Sequence, residues 1–382
     1  MAFSHSAKFD RASLQSVRNL AVKIGSAVLA PDGALDHAAL GQLAAQIAAV
    51  RASGVRITLV TSGAVASGYR LLGFTKPPTS IVHKQCAAAI GQPRLMAAWE
   101  TAFAPHGITV AQTLYTSDDL ATRGRYLNTR RTLGELLARN ILPIVNENDT
   151  TSYDEIKLGD NDRLSALTAD LVGAELLLIL STAHGLYEGG DDKRVIPEVD
   201  AADDSAARHV TAEKTSTGTG GMATKLIAAA AAAKWGIATV VAGGRVPNVI
   251  GRVVAGETIG TLFVPSIKGA SARKRWLGGA ARSSGAIVVD AGASKAMTTK
   301  GASLLPSGVV GVRGEFGRDE VVEIIGPAGT VIARGVSTYA SDEVTKLAGK
   351  KTSQIAGVLG YCLRDEVVHR SDLVVGGGQI AK

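Results

Sequence analysis

The stretch NLAVKIGSAVLAPDGALDHAALGQLAAQIAAVRASGVRITLV, residues 19–60, decides the fold. It opens with a short apolar run, Asn19–Ile24, of the kind that forms a buried strand. Apolar side chains from Leu40 to Val50 then recur at helical spacing, and a second apolar run follows at Arg56–Val60. A strand, a helix and another strand in this order predict a βαβ unit with parallel strands.

The same alternation continues through the first two thirds of the chain. Further strands are predicted at residues 108–110, 142–145, 176–180 and 238–241. Helical patterns lie between them at residues 123–139 and 222–234. This rhythm predicts an α/β domain in which an open, mainly parallel sheet is sandwiched by helices.

A different pattern begins near residue 268. Residues 268–285 mix lysine and arginine with glycine and serine, and we predict a linker there. Short strands with glycine turns follow at residues 286–289, 308–312, 320–325 and 330–333. We therefore predict an α/β domain over residues 1–267 and a small β-rich domain over residues 286–382.

Composition narrows the class of protein. The 382 residues suggest two domains, and 46% hydrophobic with only 4% aromatic residues indicates a core of alanine, valine, leucine and isoleucine. The two cysteines, Cys86 and Cys362, lie far apart and indicate neither a disulfide framework nor a thiolate zinc site. No uncharged apolar run reaches about 18 residues, so we expect a cytoplasmic protein with no membrane partner.

The positive charge is concentrated near the end of the chain. The formal net charge is +7, and residues 268–382 hold 16 basic and 10 acidic side chains, so six of the seven excess charges lie there. Such an excess favours RNA or another polyanion as a partner, and a solvated surface explains it equally well.

Four polar segments are candidate sites: three follow a predicted strand, and the fourth precedes a predicted helix. Ligands of open α/β sheets bind at the carboxyl ends of the strands, so these segments are candidate sites. They are residues 22–26 (VKIGS), 61–64 (TSGA), 146–149 (NEND) with 159–162 (GDND), and 218–225 (GTGGMATK).

The first two segments have the chemistry of anion sites. Burying the unpaired ammonium of Lys23 is costly, so an anion should meet it, and Gly25 and Ser26 offer backbone N–H groups beside it. A strand-end lysine that reaches solvent is the alternative. The hydroxyls of Thr61 and Ser62 suit an anion site or an ordinary helix cap.

The third segment is dense in polar side chains. It contains Asn146, Glu147, Asn148, Asp149, Asp160, Asn161 and Asp162. This density suits a polar ligand or a metal ion, and a solvated turn is the alternative. Leucines from Leu164 to Leu171 predict a helix that begins directly after Asp162.

The fourth segment is neither a dinucleotide fingerprint nor a P-loop. Residues 206–217 are too polar for the strand that a fingerprint requires, and G-x-x-x-x-G-K-[ST] is absent from the chain. Lys225 falls in the first turn of the predicted helix, where a cation opposes the helix dipole. Because a bound anion would offset this unfavourable placement, we predict that a phosphate lies between Lys225 and the start of the helix.

Taken together, these segments resemble the amino acid kinase family, most closely its members that phosphorylate glutamate. The resemblance covers nearly the whole chain after Asn19. It rests on VKIGSAVL (22–29), TSGAVASG (61–68), KQCAAAIGQPRL (84–95), NENDT (146–150), GDNDRLSA (159–166) and TGGMATKL (219–226). From Gly285 onward the chain resembles a PUA domain, an RNA-binding fold, with GEFGRDEV (314–321) and IARGV (332–336) as its marks.

The resemblance implies ATP-dependent phosphorylation of the side-chain carboxylate of L-glutamate, the first step of proline biosynthesis, with Mg²⁺ as cofactor. It implies that Lys23 and Lys225 contact the transferred phosphoryl group and that Asp162 holds both lysines. The implied ATP-binding residues are Lys23, Gly25, Ser181, Thr182, Thr219, Gly220, Gly221, Met222, Ala223, Thr224 and Lys225. The implied glutamate-binding residues are Ser62, Asp149 and Asn161, with Asn146 and Asp160 nearby. No metal ligand is assigned.

The chemistry agrees with these roles. A carboxylate with a pKa near ~4.3 is already ionised at neutral pH, so its phosphorylation needs no general base, and the motifs contain no histidine. One departure concerns Ser181 and Thr182, which stand where the family usually has Thr-Asp, and it leaves the nucleotide preference open.

Two alternatives remain at this point. One is a sister kinase that acts on acetylglutamate, aspartate, carbamate or a nucleoside monophosphate. The other is an RNA-binding protein that acts through its C-terminal domain. The resemblance also implies feedback inhibition by proline, assembly into dimers or tetramers, and glutamyl phosphate reductase as a downstream partner.

Overall fold

The computed structural model describes residues 9–152, 160–188, 194–201, 221–265, 277 and 281–376. The chain separates into two compact units. One contains the residues up to 269 except 121–123, and the other contains 121–123 and the residues from 270 onward. Among the residues covered, no helix is long and apolar enough to cross a membrane.

A mainly parallel sheet forms the centre of the first unit. Its described strands are β1 (Asn19–Ile24), β2 (Arg56–Val60), β3 (Val110–Tyr115), β4 (Leu142–Glu147), β5 (Leu176–Ser181), β6 (Glu198–Asp200), β7 (Ala238–Gly243) and β8 (Thr261–Val264). They lie in the order β3-β4-β2-β1-β5-β7-β8-β6, and β8 runs antiparallel to β7. The predicted α/β fold with a mainly parallel sheet is confirmed.

Helices cover both faces of this sheet. They are α1 (Ser26–Leu29), α2 (His37–Ala52), α3 (Ala64–Gly68), α4 (Ile81–Phe103), α5 (Ser117–Ala121), α6 (Arg123–Ala138), α7 (Asp160–Val172), α8 (Met222–Ala233) and α9 (Val249–Val254). Leu20, Val22 and Ile24 of β1 share one core with α2, α4 and α9. Because side chains alternate along a strand, Lys23 points to the opposite face, where α7 packs against β1, β2 and β4.

Two predicted boundaries were wrong. The strand expected at residues 108–110 lies at Val110–Tyr115, because β3 is an edge strand whose half-exposed positions accept polar side chains such as Gln112. The helix expected after Asp162 already begins at Asp160, so Asp162 lies in its first turn. Polar residues that open a helix carry no apolar periodicity, which explains this shift.

Two glycines allow α3 and α4 to cross in close contact. A Cβ atom at Gly68 would lie 1.9 Å from the carbonyl oxygen of Ala87, and one at Gly91 would lie 1.8 Å from that of Ala64. Only glycine fits at either position. Since α3 begins directly after Gly63, which has a φ of 112°, this crossing fixes the loop that leaves β2.

An arginine fastens the start of the described chain to the first unit. The guanidinium of Arg11 donates to the carbonyl oxygens of Pro197, Glu257, Ile259 and Gly260 at distances of 2.7–3.1 Å. Its burial lowers the pKa of Arg11. These contacts join Arg11 to the residue before β6 and to the loop that leads into β8.

The second unit is a small sheet with short helices. Its described strands are β9 (Gly285–Val289), β10 (Val309–Arg313), β11 (Val321–Ile325), β12 (Val331–Val336) and β13 (Leu373–Val375), in the order β10-β9-β11-β12-β13. Its helices are α10 (Ala291–Lys300), α11 (Ser341–Leu347) and α12 (Ile355–Leu359). A separate core includes the fully buried Ile287, Val322 and Tyr339.

The four strands predicted for this unit are confirmed with small shifts at their ends. Most of the predicted linker, residues 268–285, lies outside the described residues. Arg334 of β12 donates to the carbonyl oxygens of Leu277 and Ala281, two described residues of this segment.

Candidate active site

The predicted site residues gather at one edge of the large sheet. Strands β1, β2, β4 and β5 are parallel, so their carboxyl ends share this edge. Gly25 follows β1, Ser62 follows β2, Asn146 lies near the end of β4, and Ser181 ends β5. This is the edge at which open α/β sheets bind ligands.

Three charged side chains meet inside the unit beside this edge. Lys23, Lys225 and Asp162 are only 6%, 4% and 1% exposed. The Nζ atom of Lys23 lies 2.6 Å from Oδ1 of Asp162, and that of Lys225 lies 3.2 Å from Oδ2. The residues lie on β1, on α8 and on α7, respectively, so three distant parts of the sequence form one cluster.

The helix ends explain this arrangement. Asp162 lies in the first turn of α7, where a carboxylate is stabilised by the helix dipole. Lys225 lies in the first turn of α8, where the dipole disfavours a cation. Asp162 offsets that unfavourable placement, and it also accepts a hydrogen bond from Oγ1 of Thr224 at 2.7 Å.

The pKa values show the balance of charge. Burial raises the pKa of Asp162, but Lys23 and Lys225 outweigh it and hold the value at about 2. Burial lowers the pKa of Lys225, Asp162 opposes this effect, and Lys23 lowers it further. Two ammonium groups therefore share one ionised carboxylate, and the cluster attracts a further anion.

A second polar pair lies beside the loop after β2. The Nδ2 atom of Asn161 donates to Oγ of Ser62 at 3.0 Å. The Oδ1 atom of Asn161 is buried and accepts no hydrogen bond from any residue that the structure describes. This oxygen can accept a hydrogen bond from a donor group on a ligand.

A chain of two glutamine side chains supports Asn146, and the first of them, Gln92, contacts it directly. It is 1% exposed, and its Nδ2 atom donates to Oε1 of Gln92 at 2.8 Å. Gln92 in turn donates to Oε1 of Gln112 at 2.9 Å. Sequence reasoning missed this chain of amides, although Gln92 belongs to the string KQCAAAIGQPRL that carried the family resemblance.

The remaining predicted residues fall into three groups. Asp149 is half-buried in the turn after β4, while Thr182 is exposed directly after β5. Gly221, Met222 and Ala223 begin α8, as predicted. Thr219, Gly220 and the side chain of Asp160 lie outside the described residues.

Thr224 also makes a contact that the sequence did not predict. Its hydroxyl donates to Asp162, and its role in nucleotide binding stays a prediction. A contact between residues 62 positions apart leaves no local pattern in the sequence, so only the fold reveals it.

The described side chains offer no obvious protein site for a metal ion. Within the described part of the chain, no three His, Cys, Asp or Glu residues group together. Asp162, the acidic member of the lysine cluster, already pairs with two cations. We therefore name no protein ligand for Mg²⁺ among the described residues and assign no step to the ion.

Comparison with known proteins identifies the family of each part. The sequence pattern of the amino acid kinase family matches residues 20–243, and that of the PUA domain matches residues 285–359. A glutamate 5-kinase of Geobacter sulfurreducens is 47% identical over 95% of this chain and 98% of its own length. Glutamate 5-kinases of Trichlorobacter lovleyi and Thermus thermophilus are 46% and 44% identical over at least 94% of this chain and 98% of theirs. The family pattern covers more than half of the chain and the relatives nearly all of it, so the chain belongs to the amino acid kinase family.

Proposed function

We propose that this chain transfers the γ-phosphoryl group of ATP to the side-chain carboxylate of L-glutamate, the reaction of a glutamate 5-kinase. The observation that carries the proposal is the buried cluster of Lys23, Asp162 and Lys225, which holds an excess positive charge at the ligand-binding edge. Nearly full-length relatives with the name glutamate 5-kinase support the choice of acceptor.

The reaction needs charge stabilisation rather than proton transfer. An oxygen of the ionised carboxylate attacks the γ-phosphorus of ATP, the bond from that phosphorus to the bridging oxygen breaks, and ADP leaves with L-glutamyl 5-phosphate as product. Both reactants are anions, so their repulsion is the main obstacle. Lys23 and Lys225 offset it, and Asp162 keeps the two ammonium groups together.

The Ser62 and Asn161 pair is suited to the amino acid. The buried Oδ1 of Asn161 would accept a hydrogen bond from the α-ammonium group, and the hydroxyl of Ser62 would contact the α-carboxylate. We propose Asp149, Asn146 and Asp160 as further members of this subsite, and Gly25, Ser181, Thr182 and residues 219–225 as the nucleotide subsite.

An acceptor panel tests the proposal. The chain is incubated with ATP, Mg²⁺ and glutamate, acetylglutamate, aspartate, carbamate or a nucleoside monophosphate, and ADP release is followed. Hydroxylamine traps an acyl phosphate as its hydroxamate. We expect hydroxamate with glutamate and none with the Lys23→Ala variant; turnover of aspartate and not glutamate would reject the proposed acceptor.

Further proposals concern the setting of the reaction. We propose that Mg²⁺ arrives with ATP, that the enzyme works in the cytoplasm as a homo-oligomer, and that proline inhibits it. We also propose catalytic and PUA domains over residues 1–267 and 286–382. The product, an acyl phosphate, must pass to an enzyme that reduces it, such as glutamyl phosphate reductase.

A further inference from the structure

A separate cavity of about 450 Å³ lies behind the loop that follows β2. The loop before α2, the outer face of α3 and one face of α4 form its walls. Leu35 belongs to its lining and is also a neighbour of Gly63. One side chain therefore separates the cavity from the loop after β2, residues 61–63, which carries the proposed glutamate-binding residue Ser62 and is called the glutamate loop below. Its volume lies in the range of sites for small molecules.

The rim of this cavity is cationic. Arg70 and Arg94 supply the positive charge, His37 adds a ring nitrogen donor or acceptor, and the lining includes no acidic side chain. Within the described residues, none of the three forms an ion pair. Asp32 and Asp36 adjoin the lining along the chain: Arg70 meets Asp32 at its backbone carbonyl oxygen, and the carboxylate of Asp36 is bound to Arg245 and to the backbone N–H of Ala39. Alanine and leucine side chains supply an apolar floor.

One hydrogen bond connects the cavity with the glutamate loop. Ser67 lines the cavity, and its hydroxyl donates to the carbonyl oxygen of Gly63 at 2.7 Å. Gly63 follows Ser62 directly, and Ser62 accepts the hydrogen bond from Asn161. A carboxylate in the cavity would compete with Gly63 for the proton of Ser67.

We propose that this cavity binds a small organic anion, a carboxylate with an apolar body, and that its occupant weakens glutamate binding through Ser67. The cationic rim attracts the carboxylate, and the alanine floor receives the apolar part. The coupling to glutamate rests on the function proposed above, whereas the binding of the anion does not.

Benzoate is the probe for binding, and neutral benzamide of nearly the same shape is its control. Calorimetry is carried out on the full chain and on the variants Arg94→Gln and Arg131→Gln, the latter an exposed arginine of α6 outside the cavity. We expect benzoate to bind about tenfold more tightly than benzamide, and Arg94→Gln to weaken benzoate about tenfold. Equal binding of both probes, or no effect of Arg94→Gln, overturns the site.

Glutamate binding is then measured with increasing benzoate. We expect the glutamate Kd to rise to a plateau, and benzoate to weaken by the same factor with glutamate bound. A rise without limit identifies competition at the glutamate subsite and overturns the coupling. In Ser67→Ala benzoate should still bind while the coupling disappears. If benzoate binds but no acceptor is phosphorylated, the cavity site stands and the proposed reaction fails.

Discussion

At the residue scale, Asp162 holds two buried cations in place. Its replacement by asparagine leaves Lys23 and Lys225 facing each other with no counter-charge. We expect Asp162→Asn to lower the free energy of unfolding by about 3 kcal/mol, because breaking a buried ion pair is far costlier than removing an exposed one. Urea unfolding at neutral pH measures the loss.

Glu135→Gln is the matched control, since Glu135 of α6 forms an exposed ion pair with Arg139, the residue that follows this helix. This change should cost less than about 1 kcal/mol. The folded pKa of Asp162, about 2, lies below its ordinary value of 3.8, so its stabilising effect is full above pH 4 and is lost as the pH falls toward 2. The role of Asp162 would be contradicted if both variants lost the same free energy of unfolding. It would also be contradicted if the stability of both variants fell in the same way as the pH is lowered.

Lys225 sets the behaviour of the enzyme at alkaline pH. Its pKa lies below the ordinary 10.5 mainly because it is buried, so it loses its proton earlier than an exposed lysine as the pH rises. We expect kcat to fall with a midpoint below pH 10.5, since a neutral amine no longer stabilises the transferred phosphoryl group. In Lys225→Arg the remaining activity should persist to higher pH. If kcat of Lys225→Arg fell at the same alkaline pH as that of the unchanged chain, the titrating group would not be Lys225.

Gln92 is a positioning residue in this scheme. Gln92→Met keeps the volume but removes the amide partners of Asn146 and Gln112. We expect the KM for glutamate to rise about tenfold with a smaller change in kcat, because Asn146 loses its fixed orientation. Gln46→Met is the control, since Gln46 accepts a hydrogen bond from Ile250 away from the sheet edge. Equal KM values for the two variants would remove Gln92 from the site.

The sequence predicted the charged residues of the site better than the uncharged residues that position the site. Lys23 was found because a lysine within an apolar strand needs an anion, and Lys225 because a cation opposes the dipole at the start of a helix. The structure brings both to Asp162. Gln92 escaped notice because a buried amide in a helix looks like a surface residue until its partner, 54 positions away, is known.

At the element scale, the crossing of α3 and α4 controls the glutamate loop. Gly91→Ala would place a Cβ atom 1.8 Å from the carbonyl oxygen of Ala64, so the helices must move apart. We expect a loss of about 2 kcal/mol in the free energy of unfolding and a raised KM for glutamate, because Ser62 moves with α3. Thermal unfolding and steady-state kinetics measure the two effects.

Gly41→Ala is the control for this change. Gly41 lies in α2, and a Cβ atom there would meet nothing within 4 Å. Alanine is the better helix former by about 1 kcal/mol, so this variant should be neutral or more stable. If Gly91→Ala behaved in the same way, the close crossing would not constrain the loop.

Strands buried on both faces were the easiest elements to predict. β1, β2 and β5 are mostly apolar and almost wholly buried, and their predicted ends agree with the structure to within one residue. β3 was misplaced because an edge strand alternates polar and apolar positions without a clear run. A strand that is buried on both faces is therefore easier to recognise in the sequence than an edge strand.

At the scale of the whole molecule, the proposed catalytic groups belong to one unit. Lys23, Ser62, Asn161, Asp162 and Lys225 all lie in the first unit, which has its own core. We expect a chain that ends after Pro265 to fold and to keep a kcat close to that of the full chain. Circular dichroism and the hydroxamate assay test this, with Lys23→Ala in the same fragment as the inactive control. A folded but inactive fragment would show that the reaction requires the second unit.

The place of β1 in the sheet also has a consequence for synthesis on the ribosome. Among the described strands β1 is made first, yet it lies between β2 and β5, and β5 begins only at Leu176. Lys23 therefore leaves the exit tunnel long before Asp162 exists to neutralise it and longer still before Lys225 joins them. β1 therefore lacks its second neighbour until Ser181 has been made, and the three charged residues of the proposed active site meet only after α8 has emerged.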